Sequence, residues 1–537
     1  MMAMKGSVRM GFYLLLVVLC GLLGWWLAHD VFRSPVSVRK PVAEAEEVKE
    51  LSRPARIQSK VVERVTFKDG ATVEIMGSSR EKETILRFPT DEAYESFLQA
   101  LGLSKVQLLG QLDRLRAVRL GYIDIADLDD LLRGENLTMY PAVTKMPDRA
   151  KPGEETLAGA EAFNDGVLEW LGIYGDHSQW GRGVKVAVLD TGVVPHEGLP
   201  GNFKSIAIEP FPKHLDETHG HGTAVASLIA GCGAIAPGIA PGVTLISVRV
   251  SGEDGITDSF SVAAGVLAAM DEGAEIINLS LGSYEDSPLM ADAIWLAQNQ
   301  GIVVVAASGN DGQESAAFPA AYPNVIGVGA VDARGEQLEF SNFGDYLSMT
   351  APGYRVNVAW PGNRYVRLSG TSVSAPLVTG AIAAVMTAGP TRLTASDAAA
   401  LVMEYADEAG IPGPDSQYGY GILNVGRVID RQTPGLVDAA ITAQQVVSLG
   451  QGRDELQVTI QNRGTEILIN TLLEVRTSLG DKTFNSTTLA PGKIQTFHFP
   501  LPSGSATRLE VTSTLTLGIR GNDQTPANNQ KRSVFQR

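Results

Sequence analysis

The sequence predicts a multidomain α/β protein, with a central domain built on a parallel sheet, a small α+β domain before it and an all-β sandwich after it. The central region contains continuous apolar, β-rich runs such as Val184–Leu189 and Ile302–Ala307, which are typical of strands buried on both faces of a parallel sheet. Residues 61–143 instead follow the order strand, helix, strands, helix, strand. After Pro434 the apolar residues alternate by two, which is typical of an antiparallel sandwich.

Composition limits the function classes. The chain has 537 residues, 44% hydrophobic and 19% charged, which is too long for one core, so we expect about three or four folded units. The net charge of −16 argues against a nucleic-acid partner, because phosphate binding requires a basic face. Cys20 and Cys232 are the only cysteines, and Cys20 lies in an apolar run, so we expect no intrachain disulfide framework and a buried Cys232.

Residues 1–30 are predicted to be a membrane anchor or a signal segment. Lys5 and Arg9 precede the uncharged stretch Gly11–Ala28, which as a helix would span about 27 Å, close to the thickness of a bilayer's hydrocarbon core. No small-x-small cleavage site is evident, which favours an uncleaved anchor over a cleaved signal. Residues 31–60 are charged and contain proline, which predicts a spacer.

Residues 61–156 are predicted to form a small α+β, ferredoxin-like domain, because their elements follow the order of a split βαβ unit. A plain protein-interaction domain is the alternative. The predicted elements are a strand at Thr84–Phe88, a helix at Asp91–Leu101, strand material at Leu112–Tyr122, a helix at Asp124–Arg133 and a strand at Leu137–Tyr140.

Ser372 is a candidate nucleophile. It lies where a Gly-Thr turn meets a helix start, with an Ala/Val-rich run over Leu377–Ala388 behind it. We therefore expect an exposed hydroxyl and a backbone N–H without an intrahelical partner. The same features describe a helix cap. A serine hydroxyl also needs a histidine base that is oriented by a carboxylate.

Candidates for both groups lie upstream. Asp190 ends the run Val184–Leu189, so it is expected at the carboxyl end of a strand, where open α/β sheets place their sites, although an Asp before Thr-Gly is also a common turn former. His221 lies in the segment Thr218–Thr223, which contains two histidines. A half metal site and a helix-start histidine without function are the alternatives, but no further ligand stands at metal-binding spacing, so no metal is predicted.

Asp190, His221 and Ser372 follow one of the few chain orders known for catalytic triads. The segments around them are Asp190–Gly192, His221–Thr223 and Gly370–Pro376. Together these segments resemble the subtilisin-like serine protease (subtilase) family. An α/β-hydrolase would instead require Gly-x-Ser-x-Gly and the order Ser, acid, His. The resemblance implies a subtilisin-like parallel-sheet catalytic domain at 157–432 and a serine endopeptidase that acts on protein or peptide substrates.

Two further segments resemble the family. Ile302–Asn310 reads as a buried strand that delivers an Asn into a loop, and the resemblance implies that Asn310 donates to the oxyanion, with the N–H of Ser372 as second donor; a plain turn Asn is the alternative. Ile276–Gly282 looks like the strand that lines the substrate groove, which makes Ser280, Leu281 and Gly282 candidate substrate-binding residues. An ordinary strand is the alternative. Additional family-like segments are Ala316–Pro323, Ser341–Gly344 and Tyr418–Val425.

The sequence also departs from the family pattern. Val373 replaces a common methionine, and Ala224 stands where many members have a second histidine. Neither position performs proton transfer, so we expect activity with an altered pocket shape. No cofactor is required by this chemistry. Structural calcium is possible in this family, but no complete calcium-loop motif allows its ligands to be assigned.

The resemblance implies further roles for the flanking regions. Residues 61–156 look like an inhibitory propeptide. The protein is therefore expected to be a zymogen whose catalytic domain binds its own propeptide and cuts the chain within Thr144–Thr156. The catalytic domain is expected outside the cytoplasm, tethered through residues 1–30, or secreted if that segment is cleaved.

Residues 433–537 are predicted to be a β-sandwich that resembles the adhesion-type Ig-like modules of bacterial surface proteins. Two other functions remain open. One is a catalytically silent, propeptide-locked surface scaffold that binds a partner through this module. The other is a serine esterase or transferase that uses the same site.

Overall fold

The computed structural model of the chain places the three folded regions in one continuous unit, which comprises Ile57–Arg537. The residues that it describes are 61–66, 72–76, 82–132, 138–141, 157, 159–201, 203–208, 210–211, 220–252, 255–449, 454–502, 508–518 and 523–536. The predicted anchor at 1–30, the spacer at 31–60, the cleavage stretch at 144–156 and His219 lie outside the described residues. The predicted domain boundaries stay predictions.

The N-terminal region is a four-stranded antiparallel sheet with two helices, in the strand order β4-β5-β3-β6. Its elements are β3 Glu83–Arg87, α1 Asp91–Leu101, β4 Gln107–Leu112, β5 Ala117–Gly121, α2 Ile125–Leu132 and β6 Thr138–Pro141, preceded by the antiparallel pair β1 Val61–Thr66 and β2 Thr72–Met76. From β3 to β6 this element order matches the predicted order, the pair β1 and β2 was not predicted, and the ferredoxin-like character stays a prediction. The predicted strand material at Leu112–Tyr122 is wrong in extent, because a 3₁₀ turn at Asp113–Leu115 separates β5 from β4. Only the last residue of β4 is buried, so this strand gives a weak apolar pattern.

The central region is a seven-stranded, all-parallel sheet in the order β13-β12-β11-β10-β7-β9-β8. Its strands are β7 Lys185–Asp190, β8 Lys204–Ala207, β9 Thr244–Arg249, β10 Ile276–Leu279, β11 Val303–Ala307, β12 Ile326–Val331 and β13 Leu347–Pro352. A separate hairpin consists of β14 Val356–Trp360 and β15 Arg364–Leu368. The predicted parallel-sheet α/β domain is confirmed.

Helices cover both faces of this sheet. They are α3 Val167–Trp170, α4 Gly220–Ala230, α5 Ser259–Asp271, α6 Pro288–Asn299, α7 Thr371–Ala388, α8 Ala395–Glu404 and α9 Val425–Ile429. Alternate residues of β7 face opposite cores: Val186 and Val188 pack with α4 and α7, whereas Ala187 and Leu189 pack with α5 and α6. This two-sided burial explains why the strands read as continuous apolar runs.

One helix of the described residues, α7, has the length and hydropathy of a membrane span, and 89% of that stretch is buried inside the protein. It is therefore explained as the central core helix of this domain. Cys232 is exposed, so the prediction of a buried thiol is wrong. The reason is that α4 ends at Ala230 and the chain then leaves the core.

The C-terminal region consists of two antiparallel sheets, β16-β17-β20 and β19-β18-β21-β22. Their bounds are β16 Ala439–Ser448, β17 Asp454–Asn462, β18 Leu468–Thr477, β19 Gly480–Leu489, β20 Ile494–Leu501, β21 Arg508–Thr516 and β22 Gln530–Gln536. Leu456 and Val458 of one sheet share a core with Leu473 and Val475 of the other. The predicted β-rich region is present, and its Ig-like character stays a prediction.

Candidate active site

Asp190 and His221 form a buried pair at the carboxyl end of β7. The Nδ1 atom of His221 lies 2.9 Å from both carboxylate oxygens of Asp190, and the two residues are only 5% and 2% exposed. The backbone N–H of Thr191 also donates to Asp190 Oδ1 at 2.7 Å. An ionised carboxylate only accepts hydrogen bonds, so Nδ1 carries the proton and Nε2 is left with the lone pair that a base requires.

Two glycines bring His221 to this carboxylate. A side chain on Gly222 would place its Cβ 2.3 Å from the carbonyl oxygen of Gly192, so only glycine permits this approach of α4 to the loop after β7. The Gly222 N–H donates to Thr191 Oγ1 at 3.0 Å. The motifs Asp-Thr-Gly and His-Gly-Thr are therefore packed against each other, 31 residues apart in the chain.

Ser372 lies in the first turn of α7, which follows Gly370 at a φ of 142°. Ser372 is only 4% exposed, so the expectation of an exposed hydroxyl is wrong, because the residues around it in this first turn are also buried. Ser372 Oγ and His221 Nε2 are both buried and have no hydrogen-bond partner among the described residues. They are a donor and an acceptor whose burial is unfavourable without a partner.

Asn310 follows β11 and contacts the residue before Ser372. Its Oδ1 accepts from the backbone N–H and the hydroxyl of Thr371 at 2.8 and 2.9 Å. Both contacts occupy the carbonyl end of the amide, so the NH₂ end is turned away from Thr371. Sequence reasoning missed Thr371 as the residue that fixes this orientation, and its position beside Ser372 was the only available signal.

Asn342 fastens the loop that carries Asn310, and sequence reasoning also missed it. Its Nδ2 donates to the carbonyl of Ser308 at 3.1 Å, and its Oδ1 accepts from the backbone N–H of Asp311 at 3.0 Å. Gly309, at a φ of 104°, passes so close that a Cβ would lie 2.3 Å from Asn342 Nδ2. The loop is therefore held on both sides of Asn310.

Tyr284 connects this loop to the segment after β10. Its hydroxyl donates to Asp311 and accepts from Asn342 Nδ2, the latter at 2.8 Å. Burial, followed by the hydrogen bond to the Asp311 carboxylate, raises the pKa of Tyr284 to about 12. Tyr284 therefore stays protonated and keeps donating to Asp311 at neutral pH.

The predicted substrate segment directly follows β10. The side chains of Ser280 and Leu281 are buried, at 5% and 7% exposure, and the Ser280 hydroxyl donates to the carbonyl of Ser372 at 3.1 Å. Ser280, Leu281 and Gly282 make no backbone–backbone hydrogen bond to any residue that the structure describes. The backbone N–H and C=O groups of this segment are therefore unpaired within the described part of the chain, whereas the side chains of Ser280 and Leu281 are buried.

No group of three or more His, Cys, Asp or Glu side chains in the described ranges is arranged to hold a metal ion. Structural calcium stays a prediction without assigned ligands.

Comparison with known proteins identifies the family. Residues 181–421 match the model of the subtilase family. Subtilisin BL from Lederbergia lenta is 38% identical over 250 residues, which cover 45% of this chain and 90% of that protein. The chain belongs to the subtilase family. It is a subtilisin-like serine protease, and a thermostable alkaline protease from Halalkalibacterium halodurans is likewise 38% identical over 254 residues, 46% of this chain and 68% of that protein.

A solved structure supports the same fold for this subtilase. The epidermin leader peptide processing serine protease from Staphylococcus aureus superposes with a TM-score of 0.54 at 21% identity, covering 66% of this chain and all of that one. The two departures from the family pattern, Val373 and Ala224, are both fully buried. They lie in the same apolar core between the sheet and helices α4 and α7, so in this subtilase they fill space beside the site.

Proposed function

We propose that the protein is a serine endopeptidase that uses Asp190, His221 and Ser372 as its triad. The observation that carries the proposal is the buried Asp190–His221 pair, which leaves His221 Nε2 as an unpartnered acceptor while the buried Ser372 hydroxyl is an unpartnered donor. His221 removes the Ser372 proton as Oγ attacks the scissile carbonyl, and returns it to the leaving amine. Asp190 holds the imidazole tautomer and stabilises its cation.

The negative charge that develops on the scissile carbonyl oxygen needs donors. Asn310 supplies its Nδ2, because Thr371 occupies its Oδ1, and the N–H of Ser372 is the second donor. Both donors are fixed before the reaction begins, so they stabilise the transition state without a cost of reorganisation.

The substrate is an extended peptide. Ser280, Leu281 and Gly282 offer unpaired backbone groups beside Ser372, and an extended chain pairs with such an edge through its own main chain. Main-chain pairing suits many sequences, so this contact supplies affinity, while side-chain pockets supply selectivity.

The N-terminal region acts as an inhibitory propeptide of this zymogen. The support is its contact with the catalytic region: Ile85 and Leu115 lie in the same hydrophobic cluster as Phe260 of α5. Arg119 also forms an ion pair with Asp258 at 3.1 Å, and both side chains are nearly or fully buried. Cleavage within residues 144–156 cuts the chain between the two regions.

The N-terminal residues 1–30 tether the protein to a membrane, with the catalytic domain outside the cytoplasm. If this segment is instead removed, the protein is secreted.

The test compares the full wild-type chain with Ser372→Ala. The wild type is expected to cut itself within residues 144–156, to hydrolyse casein and to react with a fluorophosphonate probe, and Ser372→Ala to do none of these. Ser374→Ala, in the same helix, is expected to remain labelled. A wild-type chain that is not labelled would refute the proposal and favour a silent scaffold, whereas labelled protein that cleaves only ester substrates would favour an esterase.

A further inference from the structure

The carbonyl of Ser372 lacks its normal helical donor. In an α-helix each carbonyl accepts from the N–H four residues later. For Ser372 that residue is Pro376, which lies inside α7 and has no N–H to donate. A buried carbonyl that loses this bond needs another donor.

Ser280 provides that donor. Its hydroxyl donates to the Ser372 carbonyl oxygen at 3.1 Å, from the segment after β10, 92 residues away in the chain. The contact joins the peptide plane that follows Ser372 to the segment at the carboxyl end of β10 in the central sheet.

Two further side chains orient the Ser280 hydroxyl. Asn278 Nδ2 donates to Ser280 Oγ at 3.0 Å, and the Thr379 hydroxyl donates to Asn278 Oδ1 at 2.9 Å. Asn278 and Thr379 are fully buried, and Ser280 is 5% exposed. Because Ser280 Oγ already accepts from Asn278, its own proton is directed to the Ser372 carbonyl. The hydrogen-bond network therefore begins at Thr379 in α7 and ends at the first turn of the same helix.

We propose that Ser280, oriented by Asn278 and Thr379, is a positioning residue that replaces the helical hydrogen bond that Pro376 removes and so fixes Ser372. This inference rests on the proposed role of Ser372 as nucleophile. The side chain of Ser280 then stabilises the first turn of α7, and only its backbone faces a substrate.

The decisive experiment is a pair of variants in the full chain. Ser280→Ala is expected to lower kcat on a peptide substrate, and the rate of labelling by a fluorophosphonate, by roughly tenfold, the change expected for one hydrogen bond of ordinary strength, with KM nearly unchanged. The double variant Ser280→Ala/Pro376→Ala is expected to recover most of this rate, because the new N–H at position 376 can donate to the Ser372 carbonyl.

Ser374→Ala is the matched control. Ser374 is also buried and lies in the same helical turn, but its single hydroxyl proton is shared between the carbonyls of Ala351 and Pro352. Whatever rate it loses, Pro376→Ala should not restore it. Thr379→Val and Thr379→Ser form a second pair that leaves Ser280 in place: only the valine variant, which lacks the hydroxyl, is expected to react more slowly.

Two results would overturn the proposal. One is a wild-type rate in both Ser280→Ala and Thr379→Val, and the other is a Ser280→Ala defect that Pro376→Ala does not relieve. If Ser280→Ala does not fold, the comparison of Thr379→Val with Thr379→Ser decides alone. A failure of the proposed function is seen separately, because the wild type itself would then not be labelled at Ser372.

Discussion

The contact between the N-terminal region and the catalytic region includes a buried ion pair whose strength can be tested against that of an exposed one. Arg119 and Asp258 are 3% and 0% exposed, whereas Arg114 and Asp271 link the same two regions at 43% and 61% exposure. Removing one partner of a buried pair costs about 3–5 kcal/mol, and an exposed pair contributes about 0–1 kcal/mol. Asp258 keeps its hydrogen bonds from Ser261, and Glu83, the other partner of Arg119 at 2.6 Å, is 21% exposed. We therefore expect about 3 kcal/mol for Arg119→Met, the low end of that range.

Amide hydrogen exchange measures this difference, because it reports the free energy of local opening. In the unprocessed Ser372→Ala background, Arg119→Met is expected to accelerate exchange in β3 and β5 by about 100-fold, since each 1.4 kcal/mol is tenfold. The matched variant Arg114→Met is expected to change it by less than about fivefold. Equal effects of the two variants, or no effect of Arg119→Met, would refute the reasoning that burial sets the strength of this contact.

Two further predictions concern the site and the pH. Asn310→Ala is expected to lower kcat by about 10²–10³ with little change in KM, the size known for oxyanion donors in this family; a change confined to KM would contradict it. Burial raises the pKa of Glu408 from 4.5 to about 7, so its contribution to folding stability is full below pH 4.5 and is lost as the pH rises through 7. Urea unfolding measures the free energy of unfolding at pH 5 and at pH 8. Between these two pH values it should fall less for Glu408→Gln than for the wild type, and an identical fall in both would contradict the raised pKa of Glu408.

The sequence predicted where Asp190, His221 and Ser372 lie on their elements. Asp190 ends a strand that is buried on both faces, and His221 and Ser372 lie in the first turns of helices. The structure brings Asp190 and His221 into contact, and the catalytic roles of the three residues stay predictions. The prediction for Cys232 was wrong because cysteine is usually buried, whereas here the residue follows the end of α4 at Ala230 and is exposed.

The supporting side chains could not be predicted in this way. Asn342 holds the loop of Asn310 from 31 residues away, and Ser280 reaches Ser372 across 92 residues. Such contacts depend on which elements become neighbours in the sheet, and no local periodicity records this. A proline at the fourth position after a candidate nucleophile is the one sequence signal that would have predicted a missing helical donor.

The same distinction applies to the assembly of the three regions. Each sheet is specified by strands whose alternation or apolarity is visible locally, but the regions are also joined by buried and half-buried charges that are far apart in sequence. Asp407 of the catalytic region lies 3.0 Å from Arg463 of the sandwich and 3.5 Å from Arg427, just as Asp258 lies beside Arg119. Buried ion pairs are costly to desolvate but more costly to break. A docking arrangement that includes such a pair is therefore weakened when one partner is replaced, and it loses its covalent link when the chain between the regions is cut.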